Sequence, residues 1–287
     1  MVKETMDVAD RQAPALVSTA WVAEHGRDRG VRLVEVDVDP TLYQVGHIAG
    51  AHGWNWTTDL QDQVRRDILD PSDFTELMSA AGIHKDDHVV LYGDASNWFA
   101  AYAYWLLTLY GHRRLSLMDG GRQGWEADGR PYTAEVAAVT RSAYPMAEQD
   151  PSVRALQPEV LAALGKAALV DVRSEKEFTG EVLAPPGLSE TAQRGGHIPG
   201  AVNIPWGQAC GPDGRFKPEA ELRRLYGSRG IASDRPVIAY CRIGERSAHT
   251  WFVLRELLGY PDVKSYDGSW TEWGSMVGTP VRRGLDS

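Results

Sequence analysis

At 287 residues the chain is long for one domain and comfortable for two, and 43% hydrophobic with 24% charged residues is the composition of a soluble globular protein. A net charge of -9 is the reverse of the basic balance that nucleic-acid binders carry, so no nucleic-acid partner is expected, although a few local arginines could still serve a small anion. Two cysteines, Cys210 and Cys241, are too few for a disulfide framework and suggest a reducing compartment, read here as the cytoplasm.

The opening stretch MVKETMDVADRQAP mixes Glu4, Asp7 and Asp10 with Lys3 and Arg11 and has no apolar centre, so neither a secretory signal nor a transit peptide is expected. The first apolar strand pattern is Leu33 to Val36. Polar, Gly-rich loops follow, then helical spacing over Pro71 to Ala81 and a second strand, Val89 to Tyr92. The apolar-aromatic run Trp98 to Leu107 reads as a buried helix rather than a membrane span, and no membrane partner is expected. A third strand, Leu115 to Met118, ends at an Asp-Gly turn.

After a stretch rich in Thr, Ala, Ser and Pro the same order returns. Ala168 to Val172 reads as a strand, Glu219 to Gly227 as a helix and Val237 to Tyr240 as a strand. A helix starting near Ser247 keeps Trp251, Leu254, Leu257 and Leu258 on one face before Gly259, and Val263 to Tyr266 closes the series.

The recurrence is a duplication. LVEVD (33–37) matches LVDVR (169–173), GHIAGAHGWNW (46–56) matches GHIPGAVNIPW (196–206), and Asp119-Gly120 matches Asp267-Gly268. His47 and His197 lie 150 residues apart, Tyr92 and Tyr240 148, and Asp119 and Asp267 148. Alternating strands and helices imply crossover connections and, in each copy, a parallel sheet flanked by helices: an α/β fold in tandem. The expected boundaries are 15–131 for the first domain, 132–151 for a linker and 152–287 for the second.

The segment Cys241-Arg242-Ile243-Gly244-Glu245-Arg246 falls between a strand and a helix, at the carboxyl end of the strand where parallel sheets bind ligands. The amides at a helix start have no internal partner and its dipole favours negative charge. Arg242 and Arg246 add positive charge, and Gly244 lets the loop curl. Cys241 is therefore expected to be a nucleophile with a pKa below that of a free thiol, caged by the amides of Ile243, Gly244, Glu245 and Ser247. A lone cysteine after a strand is more often an inert core residue, but arginines are costly to bury without an anion. The eight histidines show no metal-ligand spacing.

This loop, with Gly196-His197-Ile198-Pro199-Gly200-Ala201 and Tyr266-Asp267-Gly268-Ser269-Trp270-Thr271-Glu272-Trp273, resembles the tandem-domain rhodaneses, or thiosulfate sulfurtransferases, over about residues 16 to 281. One departure is Gln193, where the family often has an aromatic four residues before the histidine; the first copy has Tyr43 there. The resemblance implies two rhodanese-like domains and a ping-pong reaction. Cys241 takes the outer sulfur of thiosulfate as a persulfide and passes it to a thiophilic acceptor such as cyanide or a thiol, with no metal or cofactor. It also implies that Arg173 helps hold the anionic donor; the plainer reading of Arg173 is a surface salt bridge with Glu177. Family members with Cys-Arg at the loop start tend to favour thiosulfate and those with Cys-Gly 3-mercaptopyruvate, so Arg242 and Arg246 point to thiosulfate.

A 3-mercaptopyruvate sulfurtransferase and a persulfide carrier serving a partner protein remain the alternatives. Phosphatases of this fold place the arginine six positions after the cysteine, whereas Arg246 is five after Cys241. In the first copy Gly93, Asp94 and Trp98 stand where Cys241, Arg242 and Arg246 stand, and Asp37 where Arg173 stands, so that copy is expected to be catalytically inactive. His47 and His197 recur in both copies and read as structural, and Asp119 and Asp267 as turn residues. Cys210 lacks cationic neighbours in sequence, and a resolving role for it is the less favoured reading. A monomer is expected.

Overall fold

The computed structural model describes residues 13–185 and 191–285; the reading of the N-terminal stretch falls on residues 1–12, and the second-domain range ends at 286–287, outside the described residues. The described chain forms two compact units. One comprises residues 13–150 with 210–216, the other the described residues of 151–209 with 217–285. Among the described residues no helix is long and apolar enough to cross a membrane.

In the first unit the chain runs β1 (Leu16–Val17), α1 (Thr19–His25), β2 (Val31–Glu35), α2 (Leu42–Val45), β3 (His52–Gly53), an antiparallel pair β4 (Gln61–Asp62) and β5 (Asp67–Ile68), α3 (Pro71–Ala80), β6 (His88–Tyr92), α4 (Asp94–Leu109), β7 (Leu115–Met118) and α5 (Gly121–Ala127). The second has β8 (Arg154–Ala155), α6 (Gln157–Ala163), β9 (Ala168–Asp171), α7 (Glu175–Thr179), β10 (Ala201–Asn203), α8 (Glu219–Gly227), β11 (Val237–Tyr240), α9 (Glu245–Trp251), β12 (Val263–Tyr266) and α10 (Ser269–Trp273). A π-helical turn, Phe252–Leu257, continues α9.

Each unit holds one five-stranded, all-parallel sheet, ordered β1-β7-β6-β2-β3 in the first and β8-β12-β11-β9-β10 in the second. The two orders are the same permutation of equivalent strands, so the duplication visible in sequence is a duplication of topology. The central strands β6 and β11 are buried along their whole length, as parallel strands covered by helices on both faces must be. Helix α3 starts where its sequence directs: the Asp70 carboxylate accepts from the Ser72 and Asp73 amides, and Pro71 takes the first helical position.

Two segments belong elsewhere than their sequence suggests. The stretch read as a linker packs on the first unit up to residue 150. Ser142 donates its N–H to Ser79 O at 2.9 Å, Tyr144 is buried, and Arg141 pairs with Glu76. These contacts are irregular, so no periodicity advertises them. Residues 210–216, placed by sequence in the second domain, also join the first unit: the Phe216 N–H donates to Asp119 Oδ1 (3.0 Å), and Arg215 pairs with Asp128 (2.8 Å).

In both units a buried guanidinium ties the end of the strand beside the central one, β9 or β2, to the Gly-His loop. Arg173 binds Asp171 (2.5 Å) and donates to Gly196 O (2.7 Å). In the first unit Arg122, from α5, binds Glu35 and donates to Gly46 O (2.8 Å). Glu35 aligns with Asp171 and Gly46 with Gly196, so the same tie is made by arginines from different chain positions.

Asp37, which aligns with Arg173, sits beside Glu35 and accepts the Asp94 N–H (2.8 Å). Burial first, then the hydrogen bond and charge of Glu35, push its pKa up to about 8 from 3.8. A carboxyl raised in this way keeps in the folded state a proton that the unfolded chain has lost. Stability from this group therefore falls as pH rises from about 4 to about 8 and levels off beyond. Asp37→Asn should flatten that slope in urea unfolding curves followed across this range; an unchanged slope would place the titration elsewhere.

Candidate active site

Cys241 follows β11 and is completely buried. Its N–H donates to Ser269 Oγ (3.0 Å), and that hydroxyl donates to Tyr266 O (2.6 Å). Cys241 O accepts from the Trp270 N–H (3.1 Å), and Arg242 O from the Thr271 N–H (2.9 Å). The loop after β11 is thus stitched to the start of α10. Ser269 takes a left-handed backbone (φ 50), a sparsely populated conformation for a residue with a side chain, which these bonds hold in place.

Gly244, at φ 102, turns its N–H onto Cys241 Sγ at 3.1 Å. The Ser247 amide also hydrogen-bonds the thiol, while the Ser247 hydroxyl donates to Gly244 O (2.7 Å) and locks the turn. The Gly244 and Ser247 amides, both among those expected, therefore face the sulfur. The Glu245 amide serves its own carboxylate, and Ile243 is buried in the loop.

The expected drop in the thiol pKa is not what the geometry gives. Burial pushes the Cys241 thiol above its ordinary value, and the adjacent Glu245 carboxylate adds to the shift. Arg246 and the Ser247 and Gly244 amides act the other way without offsetting it. The sequence reading counted the arginines but not the acids that face them. Arg246 makes a two-pronged pair with Glu177 (3.0 and 3.1 Å), buried on both sides. Burial pushes the Glu177 carboxyl up, yet the Arg246 hydrogen bond and charge and the bonds to Ser174 outweigh it and hold the pKa low. Glu177 also closes a capping box with Ser174 at the start of α7. Arg242 Nη2 lies 3.9 Å from Glu245 Oε1.

Arg173 is neither on the surface nor paired with Glu177. It has no exposed area, binds Asp171 and Gly196 O, and lies over the Trp270 ring with 4.6 Å from guanidinium carbon to ring centre. Its first-unit counterpart in this task, Arg122, sits in the copy that lacks the cysteine.

Sequence reasoning missed three contributors. The Ser174-Glu177 spacing is a capping-box signal, but nothing in it predicts a partner 69 residues away. Glu245 was counted only for its amide and Ser269 only as part of a motif.

The histidines sit in structural settings. His47 Nδ1 lies 2.7 Å from Tyr43 O and its ring stacks on Tyr43; His197 Nδ1 lies 2.9 Å from Phe178 O and its ring stacks on Phe178 at 3.7 Å between centres. Phe178 thus supplies the aromatic face that Gln193 does not. Gly93, equivalent to Cys241, has no room for a side chain, since a Cβ there would lie 2.1 Å from Val36 O.

Comparison with known proteins gives one family twice. The rhodanese-like domain matches residues 18–128 and again 156–276. A Mycolicibacterium smegmatis protein named "Putative thiosulfate sulfurtransferase" is 52% identical over 274 residues, covering 95% of this chain and 99% of its own. The "Sulfur carrier protein TtuD" of Thermus thermophilus is 51% identical over 275 residues, covering 94% of this chain and 96% of its own. Among solved structures, the 3-mercaptopyruvate sulfurtransferase SseA of Escherichia coli superposes with a TM-score of 0.77 at 28% identity, over 90% of this chain and 99% of its own.

A Cβ on Gly244 would approach Asp267 O to 2.6 Å at a backbone angle that side chains resist. Gly244→Ala should cost about 1–3 kcal/mol in thermal unfolding and displace the amide from the sulfur. Unchanged stability and an unchanged Cys241 alkylation rate would mean the loop tolerates a side chain there.

Proposed function

The chain belongs to the rhodanese family, and on that premise we propose that it is a thiosulfate sulfurtransferase acting through a persulfide on Cys241. The observation that carries this is a single thiol with the Gly244 amide 3.1 Å from its sulfur, in a loop that also holds Arg242 and Arg246. The Cys241 thiolate attacks the outer sulfur of thiosulfate and sulfite leaves with the bonding pair. The Gly244 and Ser247 amides hold the anionic sulfur in each half of the cycle. Cyanide or a thiol then takes the outer sulfur.

Arg242 and Arg246 supply the positive charge that suits a sulfonate-like donor. Arg173, committed to Asp171, acts as a strut rather than a direct donor ligand, because its twin Arg122 performs the same task in the copy without a nucleophile. The first domain, with Gly93 in place of the cysteine, contributes no second reaction centre. The relative named a sulfur carrier supports a second reading, in which the persulfide is handed to a partner protein instead of being turned over.

Intact mass after brief treatment with thiosulfate should show one added sulfur that cyanide removes and that Cys241→Ser abolishes. A gain only with 3-mercaptopyruvate would reassign the donor, and a persulfide that forms without sustained sulfite release in the presence of cyanide would favour the carrier. Arg242→Gln should raise the thiosulfate KM roughly tenfold or more, since a charge-assisted hydrogen bond is worth about 1.5–3 kcal/mol. An unchanged KM would remove Arg242 from donor binding.

A further inference from the structure

One buried acid has no part in that scheme. Glu245 is 1% exposed, and its Oε2 lies 3.6 Å from Cys241 Sγ. A site built only to stabilise a thiolate would not place a second anion there. The neighbouring charges make its presence intelligible. Arg242 and Arg246 bring two positive charges from the same loop, and Glu177 from α7 takes up one of them. From the α10 side the nearest group is neutral: Ser269 Oγ, 3.9 Å from the sulfur. Asp267, before α10, is bound by Arg154 (2.6 Å), and His249 on α9 meets the Trp206 ring edge-on. Among these named groups, Arg242, Arg246 and Glu177 leave one positive charge, which is met when Cys241 and Glu245 carry one negative charge between them and exceeded when both ionise. Two acids this close in a desolvated site titrate as a pair, with one proton to share.

We propose that Glu245 is the proton acceptor of Cys241 and a catalytic residue of the sulfur transfer. This rests on the sulfurtransferase reading above. In the first half the Sγ–H bond breaks and its proton moves to Glu245 Oε2. The electron pair left on Sγ forms the bond to the outer sulfur of thiosulfate, and the thiosulfate S–S bond breaks as sulfite leaves with its electrons. In the second half cyanide bonds to the outer sulfur of the persulfide, the S–S bond breaks with its pair returning to Sγ, and Sγ takes the proton back from Oε2. No external acid, base or oxidant is consumed. Whichever of the two holds the proton, the summed charge of the pair is the same, so the proton crosses without a change in buried charge. Burial and the thiol's raised pKa fit this scheme, because a thiol that does not ionise alone needs a local acceptor.

The test compares wild type, Glu245→Gln and Glu245→Asp in single-turnover persulfide formation from thiosulfate, quenched and read by intact mass over a wide pH range. In Glu245→Gln the acid limb should move to higher pH, with a loss of roughly tenfold or more at neutral pH that recovers in alkali, in line with the usual contribution of a general base. Glu245→Asp should keep the wild-type limb at a lower rate. Superimposable profiles, or a uniform loss at every pH, would overturn the proposal. Iodoacetamide alkylation of Cys241 reads the same pair with no sulfur donor present. It should rise with pH in two steps in wild type and in one step in Glu245→Gln; a single step in both would also overturn it. A wild-type chain that takes no sulfur from thiosulfate but alkylates in two steps would refute the sulfurtransferase reading while leaving the proton-sharing pair in place.

Discussion

A buried carboxylate at the end of an interior strand next to the central one, bound to a buried guanidinium, is the constraint on which each unit is organised. Asp171 ends β9 and Glu35 ends β2. Removing one partner of such a pair strands the other in a low-dielectric interior, which costs about 3–5 kcal/mol, so the carboxylate dictates that an arginine be present. The guanidinium then reaches the carbonyl of Gly196 or Gly46 and fixes the Gly-His loop. In the second unit that loop is packed beside α7, whose Glu177 holds Arg246. A chain of ionic and hydrogen-bonded contacts therefore connects the sheet to the loop around Cys241.

Within that loop, charge is balanced more closely than the abundance of arginine implies. The Arg246 charge is met by Glu177 and that of Arg242 is approached by Glu245. The sulfur gains its support from the Arg246 charge together with the directed Ser247 and Gly244 amides. Amides do not move when an anion arrives or leaves, which is the property a thiol passing between two ionisation states requires.

The two-domain architecture is legible because the same motifs recur at a near-constant offset, and the strands read over Leu115–Met118, Val237–Tyr240 and Val263–Tyr266 coincide with the observed limits. Edge strands of two or three residues, such as β1, β3 and β8, carry too few side chains to show a pattern. Residues 132–150, read as a linker, pack on the first unit without periodicity, and irregular packing leaves no trace in the pattern. At the site, the cysteine loop was visible since its parts are consecutive. The Arg246–Glu177 pair was not, because it joins residues 69 apart. The direction of the thiol shift was misjudged for the same reason: burial and the inward turn of Glu245 are properties of the folded chain.

The cramped backbone at Gly93 bears on how far apart the two copies stand. In the second unit the equivalent position carries Cys241; in the first, the Val36 carbonyl occupies the space that its Cβ would need. Ala95, Ser96 and Asn97 take left-handed conformations at the start of α4, with Asn97 accepting the Gly93 N–H and donating to Met118 O. A cysteine placed at position 93 would therefore meet a closed backbone with Asp94 and Trp98 where the second unit has Arg242 and Arg246. The difference between the two copies at this point is not one side chain but a set of mutually dependent backbone positions, which no single substitution exchanges.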